Sequence, residues 1–212
     1  LMAFTYTTLK QAIQDYTENS DTDFTTDNLD IIIDLTELRI LREVDLTIAR
    51  KESLATAAVA TSAEVTTSLP SDMVVIRYVK VTSGPMLLPK DESFVLEFNA
   101  GADDETNPKF YSWSVAGDQL RVAPGPSSAI TLDIGYTYRI TGLSGSNTTS
   151  WLGTNAPDAL LYGCMLESQA FMKEEQQEAQ RWQNLYNRAM ETLGNEEEKR
   201  RRTDEYRDTE KR

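Results

Sequence analysis

The sequence predicts an α+β protein: a helical bundle of two N-terminal helices and one long C-terminal helix, an inserted antiparallel β module, and an extended charged tail. Three observations carry this. Residues 7–50 and 151–193 repeat apolar side chains at helical spacing. Six of the seven prolines fall in residues 51–142, where the apolar rhythm drops to period two. Residues 196–212, "EEEKRRRTDEYRDTEKR", hold one aromatic side chain and cannot bury a core of their own. The organisation expected is therefore 1–50 helical, 51–150 β, 151–195 helical and 196–212 tail.

The first helix is "TTLKQAIQDY", with Leu9, Ala12, Ile13 and Tyr16 on one side and Thr7 or Thr8 as cap. "ENSDTDF" breaks it. The second is "TTDNLDIIIDLTELRILREVDL", whose stripe is Leu29, Ile32, Ile33, Leu35, Leu38, Leu41 and Val44. The β-branched triplet Ile31-Ile32-Ile33 weakens it somewhat. In the β module, "MVVIRYVKV" alternates Val75, Arg77 and Val79 against Val74, Ile76 and Tyr78, and "SFVLEF" reads as a short strand. "KFYSWSVAGDQLRVA" reads as a hairpin turning near Gly117-Asp118. "AITLDIGYTYRI" puts Ile130, Leu132, Ile134, Tyr136, Tyr138 and Ile140 on one face of a long strand.

The last helix starts with Asn155 as cap, Pro157 in the first turn and Asp158 at the positive end. Gly194-Asn195 reads as its stop. A continuous helix from 156 to 193 would extend roughly 55–60 Å. Its environment changes along the way. From Ala159 to Met172 apolar residues cover most of the circumference, so this half is buried on several sides. "KEEQQE" follows with no apolar side chain, and beyond it only one stripe survives, around Trp182, Tyr186 and Met190. Such a stripe covers one partner. It either folds back on helix 29–44 or leaves the bundle to meet another protein; the charged tail favours the second. Trp182, Tyr186 and Met190, with Arg200, Arg201, Arg202 and Tyr206 of the tail, are thus the candidate partner interface.

The chemistry available is narrow. The 212 residues contain no histidine, which removes the usual general base and the commonest metal ligand. The single cysteine, Cys164, lies in the apolar helix and reads as a small buried hydrophobe. No cofactor or metal is expected. Asp21 and Asp23 lack the glycine and distal glutamate of a calcium loop. Asp103 and Asp104 are adjacent carboxylates that point apart, a poor hydrolase pair. Tyr111, Trp113, Tyr136 and Tyr138 could line a sugar-binding face, though core packing is the commoner role for strand aromatics. No apolar run is long enough to span a membrane. The net charge of −13 disfavours gripping nucleic acid, yet suits a surface past which DNA slides. The charge is uneven: 21 acids against 11 bases in residues 1–150, six against three in 151–195, and seven against seven in 196–212.

Taken in order, "TYTTLKQAIQDYTEN", "LPSDM", "PKFYSWSVAGDQLRVAPGPSSAITLDIGYTYRI" and "TSWLGTNAPDALLYGCMLESQAFMK" resemble the head-to-tail adaptor proteins of tailed bacteriophages. The likeness is to the group found in short-tailed phages, including cyanophages, and runs over roughly residues 3–193. It implies a structural, non-enzymatic virion protein of the neck, assembled in the host cytoplasm. It implies a homo-oligomeric ring, usually of twelve copies, beneath the portal protein. That ring would continue the DNA channel, let DNA pass without specific binding, and dock a tail nozzle or tail tube protein. The late helix and the charged tail would contact the portal. Residues 27–50 depart from the family's usual "FVRLAEERI" pattern, so no specific helix–portal contact carries over. The competing expectation is a β module that binds carbohydrate or receptor within a phage tail or tail-fibre assembly.

Overall fold

The computed structural model describes residues 3–18, 24–59, 69–82, 84–101, 107–114, 119–172 and 176–209. In chain order the elements are α1 (Tyr6–Thr17), α2 (Thr26–Glu43), a 3-10 turn (Thr47–Ala49), β1 (Arg50–Val59), β2 (Met73–Val81), β3 (Leu88–Pro89) and α3 (Glu92–Gly101). Then follow β4 (Phe110–Ser114), β5 (Gln119–Ala123), β6 (Ile130–Tyr138), α4 (Trp151–Asn155), α5 (Pro157–Met172) and α6 (Gln176–Thr209). The protein is mixed α+β and divides into two units, residues 1–47 with 140–212, and residues 48–139.

The helical unit is built around α5, which touches α1, α2, α4 and α6. Ala159, Leu160, Leu161, Cys164 and Met165 are buried on different sides of this one helix. Helix α1 begins in a capping box in which Thr5 and Thr8 each accept the other's backbone N–H, satisfying two otherwise orphan donors. It buries Leu9 and Ile13, and its Tyr6 hydroxyl donates to Asp30 of α2. Helix α2 is capped by Thr25 and buries Leu29, Ile32, Ile33, Thr36, Glu37 and Ile40, a spacing of three and four. Leu35, expected in that stripe, faces outward with Ile31. A run of three isoleucines cannot all share one helix face; Ile32 and Ile33 take the inner one.

Two close approaches fix this unit, and each needs a residue without a side chain. A Cβ on Gly163 of α5 would lie 2.5 Å from Thr36 Cγ2 of α2. A Cβ on Gly153 would lie 2.4 Å from the carbonyl oxygen of Phe4, whose N–H donates to the Gly153 carbonyl at 2.8 Å. The segment 140–150, expected to close the β module, belongs to the helical unit. Leu143 N–H donates to Glu37, and Thr5 bridges to Thr149.

The β unit has two three-stranded sheets. One is ordered β1-β6-β2 and is antiparallel; the other is β3-β4-β5, with β3 parallel and β5 antiparallel to β4. Val79, Leu87, Tyr111, Leu120, Val122, Leu132, Ile134 and Tyr136 form one core from both sheets. "SFVLEF" is not a strand but the body of α3. A short apolar run fits either period, and here Phe94 and Phe98, one turn apart, both close on Phe110 at 5.2 Å. Strand β1 had no clear sequence signal, since Leu54 and Val59 are its only large apolar residues and they do not share one alternating face. The turn expected near Gly117-Asp118 lies outside the described residues; β4 and β5 on either side of it pair from Phe110↔Ala123 to Ser114↔Gln119.

Gly163→Ala tests the tight α2–α5 contact. It is expected to lower unfolding free energy by about 1–3 kcal/mol through overpacking, against the roughly 1 kcal/mol that alanine would add to an unobstructed helix. Urea denaturation of the two proteins reads the difference.

Candidate interaction surfaces

Helix α6 does not continue α5 outward. Its stripe, Trp182, Tyr186, Ala189, Met190 and Leu193, is buried in the helical unit, and α6 lies against α5. Trp182 meets Tyr16 edge-on at 5.9 Å and Tyr162 at 6.1 Å. Tyr186, 1% exposed, rests on the space left by Gly163 and donates its hydroxyl to Glu43 of α2 at 3.0 Å. Burial and that bond to a carboxylate both push the phenol's pKa up. Arg39 lies 4.9 Å over the Tyr186 ring while bonding Glu43 and Glu167, each at 3.1 Å. The expectation that this half of the helix leaves the bundle is therefore corrected. The stripe does fold back, but onto α5 rather than onto helix 29–44, because α5 still has an uncovered side for it.

The sequence stop at Gly194-Asn195 is also overridden. Helix α6 runs on to Thr209, and its next turn is tied down. Glu197, 1% exposed, accepts the Thr47 N–H at 2.7 Å and pairs with Arg200. Arg201 pairs with Asp45 at 2.9 Å, and Arg200 lies 5.9 Å from the Trp151 ring. Of the seven candidate interface residues, Trp182, Tyr186 and Met190 are thus buried within their own unit. Arg200 and Arg201 are in intrachain ion pairs. Arg202 and Tyr206 lie on the helical backbone, with side chains outside the description. The structure brings the first three together on one helix face and places the arginines about three turns beyond Met190 along it.

Under this helix the polar interior is sparse and specific. Glu37, 3% exposed, accepts Leu143 N–H at 2.7 Å through Oε2. Burial raises its pKa, opposed by the bond from Leu143. Cys164 is fully buried, and burial pushes its thiol up to about 12, so it stays protonated and unreactive at neutral pH. In the β unit, Tyr111 and Tyr136 belong to the core, and Trp113 and Tyr138 pack against it. Lys51 spans the Tyr138 ring at 4.1 Å and Asp72 at 2.6 Å. The aromatic residues considered for sugar binding are committed to packing. Asp21, Asp23, Asp103 and Asp104 lie outside the described residues. Among the described residues no group of three or more acids or cysteines could hold a metal ion, and no helix is long and apolar enough to cross a membrane.

What remains for partners is outward apolar surface. In the helical unit, Ile31 is 57% and Leu35 50% exposed, one turn apart on α2, with Asp27, Asp30 and Asp34 on the same stretch of helix. In the β unit, Met86, Leu88 and Leu96 are exposed around β3 and α3. Sequence patterning missed both groups, because outward leucines look like core leucines until a partner helix is assigned. Comparison with known proteins adds that a family model described as SU10 adaptor protein matches residues 4–210. No curated protein matches the chain.

Glu37 gives this unit a pH signature of known sign. A folded pKa above the usual 4.5 means that the folded state holds its proton longer than the unfolded one. Unfolding free energy therefore falls as pH rises from 4.5 through the folded pKa, and the stabilisation is complete only below 4.5. Glu37→Gln keeps an acceptor for Leu143 and removes this term. Denaturation of both proteins from pH 4.5 to 8 should show wild type losing ground to the variant as pH rises; a gain would contradict the raised pKa.

Proposed function

The chain belongs to the SU10 adaptor protein family, a family of phage adaptors and so of structural virion components, and from that premise we propose a ring-forming head-to-tail adaptor. The match over residues 4–210 carries this reading, because it spans both units rather than one motif. In the proposed assembly about twelve copies sit below the portal protein, continue the DNA channel and dock a tail nozzle or tail tube protein. In this reading the protein works by contact rather than by catalysis. It assembles in the host cytoplasm before becoming part of the neck.

Physical observations support the parts of this reading unequally. A ring of identical subunits needs heterologous contacts between two different patches of one chain. The outward face of α2 is a natural first patch: Ile31 and Leu35 are large, apolar and half in water, and acids flank them. The net charge of −13 disfavours adhesion of a phosphate backbone, so DNA could move through such a ring without being held. The far end of α6, with Arg200, Arg201, Arg202 and Tyr206, is the proposed portal contact. Trp182, Tyr186 and Met190 serve it by fixing α6 to the bundle. The exposed Met86, Leu88 and Leu96 of the β unit would meet the tail.

The test is assembly with the portal of the same virus, viewed by negative-stain electron microscopy. Wild type should form rings. Ile31→Glu with Leu35→Glu should abolish them while leaving the unfolding free energy within about 1 kcal/mol, since both side chains already face water. Rings formed undiminished by the double variant would remove α2 from the interface.

A further inference from the structure

The two sheets of the β unit are joined through their backbones. Leu87 N–H donates to the Val79 carbonyl of β2 at 2.8 Å, while Leu88 and Lys90 N–H donate to Lys109 and Tyr111 at 2.9 and 2.8 Å. The segment through β3 thus bonds β2 on one side and the β4 stretch on the other. The outermost described strands are β5 and β1.

These two edges differ. Beyond β5 lies α3, whose Asn99 side chain donates to the Val122 carbonyl at 2.9 Å and whose Glu92 pairs with Arg121. Strand β1 has no described strand on its outer side. Its register shifts once, between Lys51 and Ala55, and then runs regularly from Ala55↔Ile134 to Val59↔Ile130. From Ser53 to Ala63 the sequence holds neither a charge nor a proline, the residues that ordinarily guard an exposed edge.

Strand geometry says which groups are open. Successive residues aim their N–H and C=O to opposite sides of a strand. Thr131 of β6 accepts from Thr82, next to β2, so Thr131 and Asp133 face β2 while Leu132 and Ile134 face β1. Their partners Ala57 and Ala55 therefore face β6. Thr56 and Ala58 aim outward, with two N–H and two C=O groups spaced for an added strand.

We infer that this edge receives an extended segment of the tail protein as an added strand. Magnitude selects the occupant. Four backbone hydrogen bonds, at about fivefold in affinity each, hold a strand only in the millimolar range. Two free copies joined edge to edge would fall apart, and such a two-fold pair cannot extend into a ring. Copies cannot add head to tail through their sheets either, because α3 covers β5. A ring presenting about twelve such edges to one tail assembly multiplies weak contacts into a firm one. The inference rests on the ring reading for its occupant, but not for the open edge.

Hydrogen exchange read residue by residue tests both. In the free chain the Ala55 and Ala57 amides should exchange about a hundredfold more slowly than those of Thr56 and Ala58. Equal rates for all four would overturn the open edge. Portal-bound rings should leave Thr56 and Ala58 fast, and adding the purified tail nozzle or tail tube protein of the same virus should slow them to the rate of Ala57. Slowing before the tail protein is added would make a neighbouring copy the occupant, and no slowing afterwards would leave the edge unused; either result contradicts the tail strand. Ala58→Pro removes one outward N–H at a place where an edge strand tolerates proline. Its rings should form normally and capture the tail protein about tenfold more weakly, or worse, because the loss repeats in every copy; undiminished capture would overturn the added strand. If wild type makes no rings, the adaptor reading fails and the tail strand with it, while exchange in the free chain still decides whether the edge is open.

Discussion

The structure depends on covering α5 from every side. A helix whose apolar residues surround its axis cannot stay in water, and α1, α2 and α4 leave one side of it open. Helix α6 closes that side. Burying Trp182, Tyr186, Met190 and Leu193 is worth roughly 6–12 kcal/mol at about 1.5–3 kcal/mol per large side chain. A whole domain is stable by only about 5–15 kcal/mol. An α6 projecting freely would forfeit most of that margin, so the hairpin of α5 and α6 is the cheaper arrangement. Gly163 makes it possible, since it lets α2 and the Tyr186 ring approach the same stretch of α5.

Polar groups then set the register of that hairpin. Arg39 of α2 reaches α5 through Glu167, and shares Glu43, also on α2, with the Tyr186 hydroxyl of α6. Glu197 does the same at the other end by accepting Thr47 N–H. These bonds are individually modest, about 0.5–1.5 kcal/mol net, or somewhat more with a charged partner. Their effect is to choose one alignment among several that would bury the stripe equally well. A subunit built this way offers partners a firm outer surface rather than a loose arm. Contact proteins need such surfaces, and the exposed isoleucine and leucine of α2 provide one.

Much of this was legible in the residues. Leu9, Ile13, Leu29, Ile33 and the circumference of α5 were placed correctly by period, as were β2, β4, β5 and β6 by alternation. Pro157 does sit at a helix start. What failed was what period cannot carry. The stripe on α6 announces that one neighbour covers it, but not whose neighbour it is. Gly194 reads as a stop by local propensity, yet Leu193 and Glu197 are both buried in one helical register, and tertiary contacts win. The run around Phe94 is too short to tell strand from helix.

The claim beneath all of this is that α6 belongs to its own bundle in the free protein. Hydrogen exchange on the isolated chain measures it directly. Amides of 182–193 should exchange as slowly as those of 159–169 in α5, opening only with the unit as a whole. If 182–193 exchanged a hundredfold faster than α5, the helix would be detached in solution and the account would be contradicted.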